Sequence, residues 1–444
     1  MKKLLSLSAL MVASAYASAA DLTTIYEQAA SNDAEIAAAR AVRTANAYNV
    51  TIARGALLPQ LEASYSHTVV DAEVESITDF TTGATGMENR DYELGSLEIS
   101  ASQTLFNLNS WYTYQAAKTA DEAEALTLQL SEQQLLLRTS AAYFDILRAA
   151  DNLETARAEE KAVKRSLEQT RQRYDVGLIA ITEVHEAQAT YDLTNVNLLS
   201  QQASLDISFE ALEVLTGQAH KDVSGLKANV AMKMPQPANV ADWVNTGLEK
   251  YPGIRIASLQ KTAVGHQREA ARFNRFVPTA NLFASYTDED SSPFIGEDPT
   301  ASTVMAYGVQ ISVPVFAGGA LYGQSKQAAA NLAATEFQLE SQRRQVKQQI
   351  RSLYRQLQTT VQNISARKQA ITSVESALEA TETGYEVGTR NIVEVLDAQR
   401  LLFSARRDYA NARYDYILTL LNLKFYAGTL NEGDIQALNV WLEG

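Results

Sequence analysis

Apolar residues alternate with polar or small ones in four short stretches, and long segments without glycine or proline run between them. Leu61, Ala63, Tyr65, His67 and Val69 alternate with Glu62, Ser64, Ser66 and Thr68. The pattern returns at Leu97, Ile99, Ala101, Gln103 and Leu105, in Pro278–Thr287, and most cleanly at Thr303, Met305, Tyr307, Val309, Ile311, Val313 and Val315. A period of two predicts four β-strands. The polar, glycine-dotted segments Asp71–Arg90 and Asp288–Thr300 predict exposed loops between paired strands.

The remaining segments predict helices. Asp21–Arg54 reads as one helix of about 34 residues ending near Gly55. Trp111–Val176 holds 66 residues without Gly or Pro, and Gln324–Thr383 holds 60. Helices that long run roughly 100 Å at ~1.5 Å per residue, far beyond the ordinary ~11–12 residues. Each is followed by a tight turn and a return of 39 clean residues, Leu178–Thr216 and Thr389–Ala427. Gly177 stands where a helix C-cap glycine belongs, and Gly384 and Gly388 are expected to break the second long helix. Val240–Phe276 reads as a helix or broken helix, and Gly428 onward as a short tail. All eight prolines fall outside the long helical runs, as the ~3 kcal/mol cost of an interior proline requires.

The plan is used twice. YDVGLIAITEVHEAQ at Tyr174–Gln188 matches YEVGTRNIVEVLDAQ at Tyr385–Gln399 with a constant offset of 211, and Gly217 matches Gly428 at the same offset. This gives a leader at 1–19, a first repeat at 20–218 (helix, β-hairpin, long helix, return helix), a linker at 219–239 with Pro235 and Pro237, a second repeat at 240–428, and a tail at 429–444.

Composition narrows the setting. Lys2 and Lys3, the apolar run Leu4–Tyr16 and Ala17-Ser18-Ala19 form an expected secretory signal, with the mature chain starting at Ala20 or Asp21. The net charge of −14 excludes a nucleic-acid partner that needs clustered Lys and Arg. The absence of cysteine excludes disulfides, thiolate metal sites and a cysteine nucleophile. The four histidines, His67, His185, His220 and His266, have no metal-ligand spacing. No phosphate loop, nucleophile elbow or HExxH is present. We therefore expect no enzyme, no metal and no cofactor.

Four strands cannot close a barrel, and an open edge in lipid leaves backbone groups unpaired. Either other copies of the chain complete the sheet, or it is an ordinary half-buried sheet in a soluble periplasmic coiled-coil scaffold. Candidate chemistry is sparse. Glu394 and Asp397, three residues apart, share one helix face. Acids near a helix N-terminus need no purpose beyond favouring the dipole. Six such carboxylates on a trimer axis would attract cations, and mutual repulsion would raise some of their pKa values. Arg390 can pair with Glu183 across neighbouring coils or be a solvated surface arginine. Tyr385 can equally be a packing residue at the end of the coil, as Tyr174 at the matching position suggests.

The segments YEVGTRNIVEVLDAQ, GTLNEGDIQA (Gly428–Ala437), PVFAGG (Pro314–Gly319) and YANARYDYILTLLNLK (Tyr409–Lys424) resemble the TolC family of outer-membrane factors, over essentially the whole mature chain. The resemblance implies a homotrimer in outer-membrane lipid. Its mainly helical chains would share a twelve-stranded membrane β-barrel continuous with a twelve-helix periplasmic barrel. The duct would be closed at its far end by inner coiled coils. It would open when a periplasmic adaptor (membrane-fusion) protein dock with an inner-membrane pump of the RND, ABC or MFS type. By the same resemblance Glu394 and Asp397 ring the periplasmic constriction. Tyr385 and Arg390 tie the inner coil to Thr182 and Glu183 of the neighbouring coil. Glu394 and Glu183 are longer acids where the family pattern has Asp. Glu186 stands where a non-acidic residue is expected and receives no role.

Overall fold

The computed structural model describes residues 20–79, 81–291 and 300–443. The expected leader at 1–19 and the centre of the Asp288–Thr300 loop lie outside them. The chain forms two compact units: one holds the residues up to Ala41 with Thr127–Ile254 and Gln342 onward, the other Val42–Leu126 with Arg255–Ser341.

The second unit contains one antiparallel sheet in the order β1 (Gln60–Asp79), β2 (Ala84–Phe106), β3 (Thr279–Ser291), β4 (Thr300–Ser312). The hairpins of the two repeats are joined at β2–β3, where Ile99 faces Tyr286 and Ala101 faces Ala284. In the protomer β1 and β4 are each paired along one edge only. Leu61, Tyr65 and Val69 on β1 and Met305, Tyr307 and Ile311 on β4 are exposed, each by about two-thirds or more. The expected loop at Asp71–Arg90 is not a loop. Both strands continue through it in register, from Asp71 opposite Asp91 to Ile77 opposite Thr85, and the turn carries Gly83 at φ +71°. Each strand satisfies the backbone N–H and C=O groups on the other's facing edge, so polar side chains do not end the ladder.

The remaining elements are helices, which belong to both units. The expected single helix over Asp21–Arg54 is two, α1 (Leu22–Asn32) and α2 (Ala34–Gly55). The break falls at Asp33, whose extended backbone ends α1 while its carboxylate accepts the Ile36 N–H at 2.8 Å and so caps α2. An aspartate that caps competes locally with helix continuation. Buried Asp33 also accepts from Arg138 at 3.2 Å. The long helices are α3 (Leu108–Asp175) and α7 (Ala320–Glu386), 68 and 67 residues, and the returns are α4 (Ile181–Thr216) and α8 (Ile392–Tyr426), 36 and 35. Between the repeats lie α5 (Val240–Lys250) and α6 (Pro252–Phe273), interrupted at Tyr251. The expected tail folds as α9 (Glu432–Asn439), started by a capping box of Asn431 and Asp434. Among the described residues no helix is long and apolar enough to cross a membrane.

Aromatic side chains pack the helices of the first unit together. Tyr143 and Phe144 of α3 are fully buried, 5.6 Å apart edge to face, and Phe144 lies 6.3 Å from Tyr414 of α8. Hydroxyls then tie down the linker: Tyr143 donates to the Ser224 carbonyl at 2.8 Å and Tyr416 to that of Lys233 at 2.6 Å.

Candidate functional site

The sequence-predicted residues gather where α3 turns into α4 and α7 into α8. The two turns are built alike. Gly177 and Gly388 take left-handed backbones, φ +80° and +81°, a region glycine enters without steric cost. Leu178 donates to the Arg173 carbonyl at 2.9 Å and Gly177 to that of Tyr174 at 2.8 Å. Thr389 donates to Gly384 at 2.8 Å and Gly388 to Tyr385 at 3.1 Å. This double bond pattern is the Schellman termination. Gly384 therefore lies inside α7, and the chain turns at Gly388.

Past the second turn Asn391 caps α8. Its side chain accepts the Glu394 N–H at 3.0 Å, and the Glu394 carboxylate accepts the Asn391 N–H at 3.5 Å, closing a capping box. The other Glu394 oxygen pairs with the Arg390 guanidinium of the same chain. That charged hydrogen bond, followed by the Asn391 N–H, holds the Glu394 carboxyl below the ordinary glutamate range. In the protomer the shift is thus opposite to the rise expected of a ring of acids. Asp397, one turn on, pairs with Arg400 at 2.9 Å. A groove of about 270 Å³ brings Asp397 and Arg400 of α8 together with Glu186 and Thr190 of α4.

Tyr385 is buried, 8 % exposed, in a cluster with Val163 and Leu167 of α3, Ala187 of α4, and Ile392, Val395 and Leu396 of α8. Its ring lies under the Arg173 guanidinium at 4.5 Å, and Arg173 also donates to the Tyr385 carbonyl at 3.0 Å. The Tyr385 hydroxyl is buried without a hydrogen-bond partner. Thr182 and Glu183 lie in the first turn of α4, and no side-chain hydrogen bond or ion pair joins them to Tyr385 or Arg390 within the protomer, among the described residues. The structure thus joins Arg390 to Glu394 and packs Tyr385 into the coil, while Thr182 and Glu183 stay apart from both.

Sequence reasoning missed three contributors. Buried Gln399 donates to Ser166 at 3.1 Å and to Glu382 at 3.2 Å, linking α8 to α3 and α7. Arg173 carried no signal beyond its place beside Tyr174. Asn391 did carry one, since an Asn three residues before a Glu is the capping-box spacing.

Two near-equal helical hairpins with charged turns, joined to a four-stranded sheet open at both edges, point to the class of outer-membrane efflux channels. The chain belongs to the outer membrane efflux protein family, which it matches at residues 25–218 and 243–429, one stretch in each repeat. It is 35 % identical to the outer membrane protein TolC of Vibrio cholerae, over 100 % of this chain and 99 % of that one, and 33 % identical to TolC of Escherichia coli over 99 % and 89 %. It is 27 % identical to the alkaline protease secretion protein AprF of Pseudomonas aeruginosa over 93 % and 85 %. The fold is that of the Campylobacter jejuni CmeC outer membrane channel, TM-score 0.78 at 17 % identity over 95 % and 90 %, and of the Vibrio cholerae outer membrane protein VceC, 0.75 at 20 % over 92 % and 96 %.

Proposed function

We propose that the chain is one protomer of a trimeric, passive exit duct in the outer membrane, serving drug efflux and type I protein secretion. Its relatives are named for both tasks, AprF for alkaline protease secretion and the matching family for efflux. The observation that carries the reading is the sheet. Its outer strands expose apolar residues and each leaves one edge unpaired, which lipid does not tolerate. Single-chain barrels start at about eight strands, so four strands need other copies, and three copies close twelve. The outermost parts of β1 and β2 then rise past the ~9–11 residues a bilayer requires.

The helices support the same assembly. Leu193, Val196, Ile207 and Val214 on α4 are 63–80 % exposed and recur at coiled-coil spacing, the pattern of a helix that packs on another copy. The long helices of three protomers supply a twelve-helix periplasmic barrel. Its bore narrows where the α7–α8 turns converge, with Glu394 and Asp397 as the constriction and Tyr385, Arg390, Thr182 and Glu183 as the tie between neighbouring coils. A periplasmic adaptor and an inner-membrane pump supply energy and open the tie; the duct itself catalyses nothing.

Fractionation tests this reading. A heat-resistant trimer in the outer-membrane fraction is expected. A monomer released by osmotic shock would overturn the duct and leave a periplasmic scaffold.

A further inference from the structure

Tyr174 and Tyr385 occupy equivalent positions in the two repeats, yet Tyr174 is 40 % exposed and Tyr385 only 8 %. Tyr385 packs in the apolar cluster of the turn, and Arg173 covers its face as well. The counterpart of Arg173 in the second repeat, by the same offset of 211, is Gly384. So one arginine is available, and it covers Tyr385. Its guanidinium stacks on the ring at 4.5 Å and donates to the Tyr385 carbonyl at 3.0 Å. That carbonyl, which also accepts the Gly388 N–H, belongs to the last turn of α7, where the regular helix donors run out and a cation is favoured.

We propose that Arg173 is the positioning residue of the gate: it braces Tyr385, and with it the turn from α7 into α8, from the first hairpin of its own protomer. The ring is fixed by packing on one side and by the cation on its face, leaving little rotamer freedom. The hydroxyl is buried without a partner in the protomer. The matching glycine serves the other half of the turn. A Cβ at Gly384 would lie 2.7 Å from Arg390 Cγ, so an arginine there would expel Arg390. The asymmetry places one cation on Tyr385 and leaves room for the other above Gly384. This role rests on the duct reading.

The test pairs two readouts on the folded trimer: single-channel current in a planar bilayer, and hydrogen exchange at the Gly388 and Thr389 amides. R173A is expected to raise the current several-fold and to speed exchange at both amides. R173K should recover much of each, because it keeps the cation, and R173M should recover neither. In a Tyr385→Leu background R173A should add nothing, since the brace acts through the ring. Wild-type current that R173A leaves unchanged, or an R173A effect that adds in full to Tyr385→Leu, would overturn the proposal. No current from folded wild-type trimer would overturn the duct reading and the gate role with it, while unchanged exchange in R173A would overturn the brace by itself.

Discussion

Arg390 pairs with Glu394 one helical turn along its own chain, and the same carboxylate closes the capping box with Asn391. The acid assigned to the constriction is therefore also a structural part of the α8 N-terminus, and its titration is set by two neighbours in the protomer.

A pH dependence follows from the sign of that shift. The folded-state pKa of Glu394 is lowered, so its charge, and the stability it lends the α8 N-terminus, are in place above the unfolded value of about 4.3. Both are lost as pH falls through the lowered value. Cation preference, read as reversal potential across a salt gradient, should persist as pH drops through the ordinary glutamate range and fade only below it. In R390A the loss should begin at higher pH, near that range.

Removing the cap should loosen the turn without removing the acid. Asn391→Ala leaves the Glu394 N–H without its side-chain acceptor, at a cost of about 1 kcal/mol. Hydrogen exchange at Val393 and Glu394 should quicken by roughly fivefold, the kinetic equivalent of that energy at ~1.4 kcal/mol per tenfold. Exchange in α5 should not change.

Gly384→Ala separates helix propensity from packing. Alanine favours the interior of α7 by about 1 kcal/mol, but its Cβ would stand 2.7 Å from Arg390 Cγ and 3.3 Å from Thr389 Oγ1. Arg390 must shift, its bond to Glu394 weakens, and the Glu394 titration should move up toward the ordinary range. Carbonyl chemical shifts of a labelled Glu394 followed against pH check this.

Much of the fold is legible in the sequence. Absence of Gly and Pro marks α3, α4, α7 and α8 to within a few residues, because those residues are costly inside helices and cheap at their ends. Two features are hidden by composition. Asp33 is ordinary in a helix until it caps the next one, and the polar stretch from Asp71 to Arg90 looks like loop until its cross-strand partners are known. The acids Glu394 and Asp397 are picked out by the family resemblance, since their spacing alone fits an ordinary helix N-terminus. Arg173 and Gln399 are not legible in the sequence, because their partners lie on other helices and nothing local distinguishes them from solvated residues.

Single-channel current from purified trimer in a planar bilayer tests the central claim most directly, wild type beside the double variant Glu394→Ala/Asp397→Ala. We predict small, cation-preferring wild-type currents blocked by multivalent cations, with both the preference and the block lost in the variant. Well-folded trimer that carries no current would contradict the duct, and current unaffected by the double substitution would contradict the constriction assigned to these two residues.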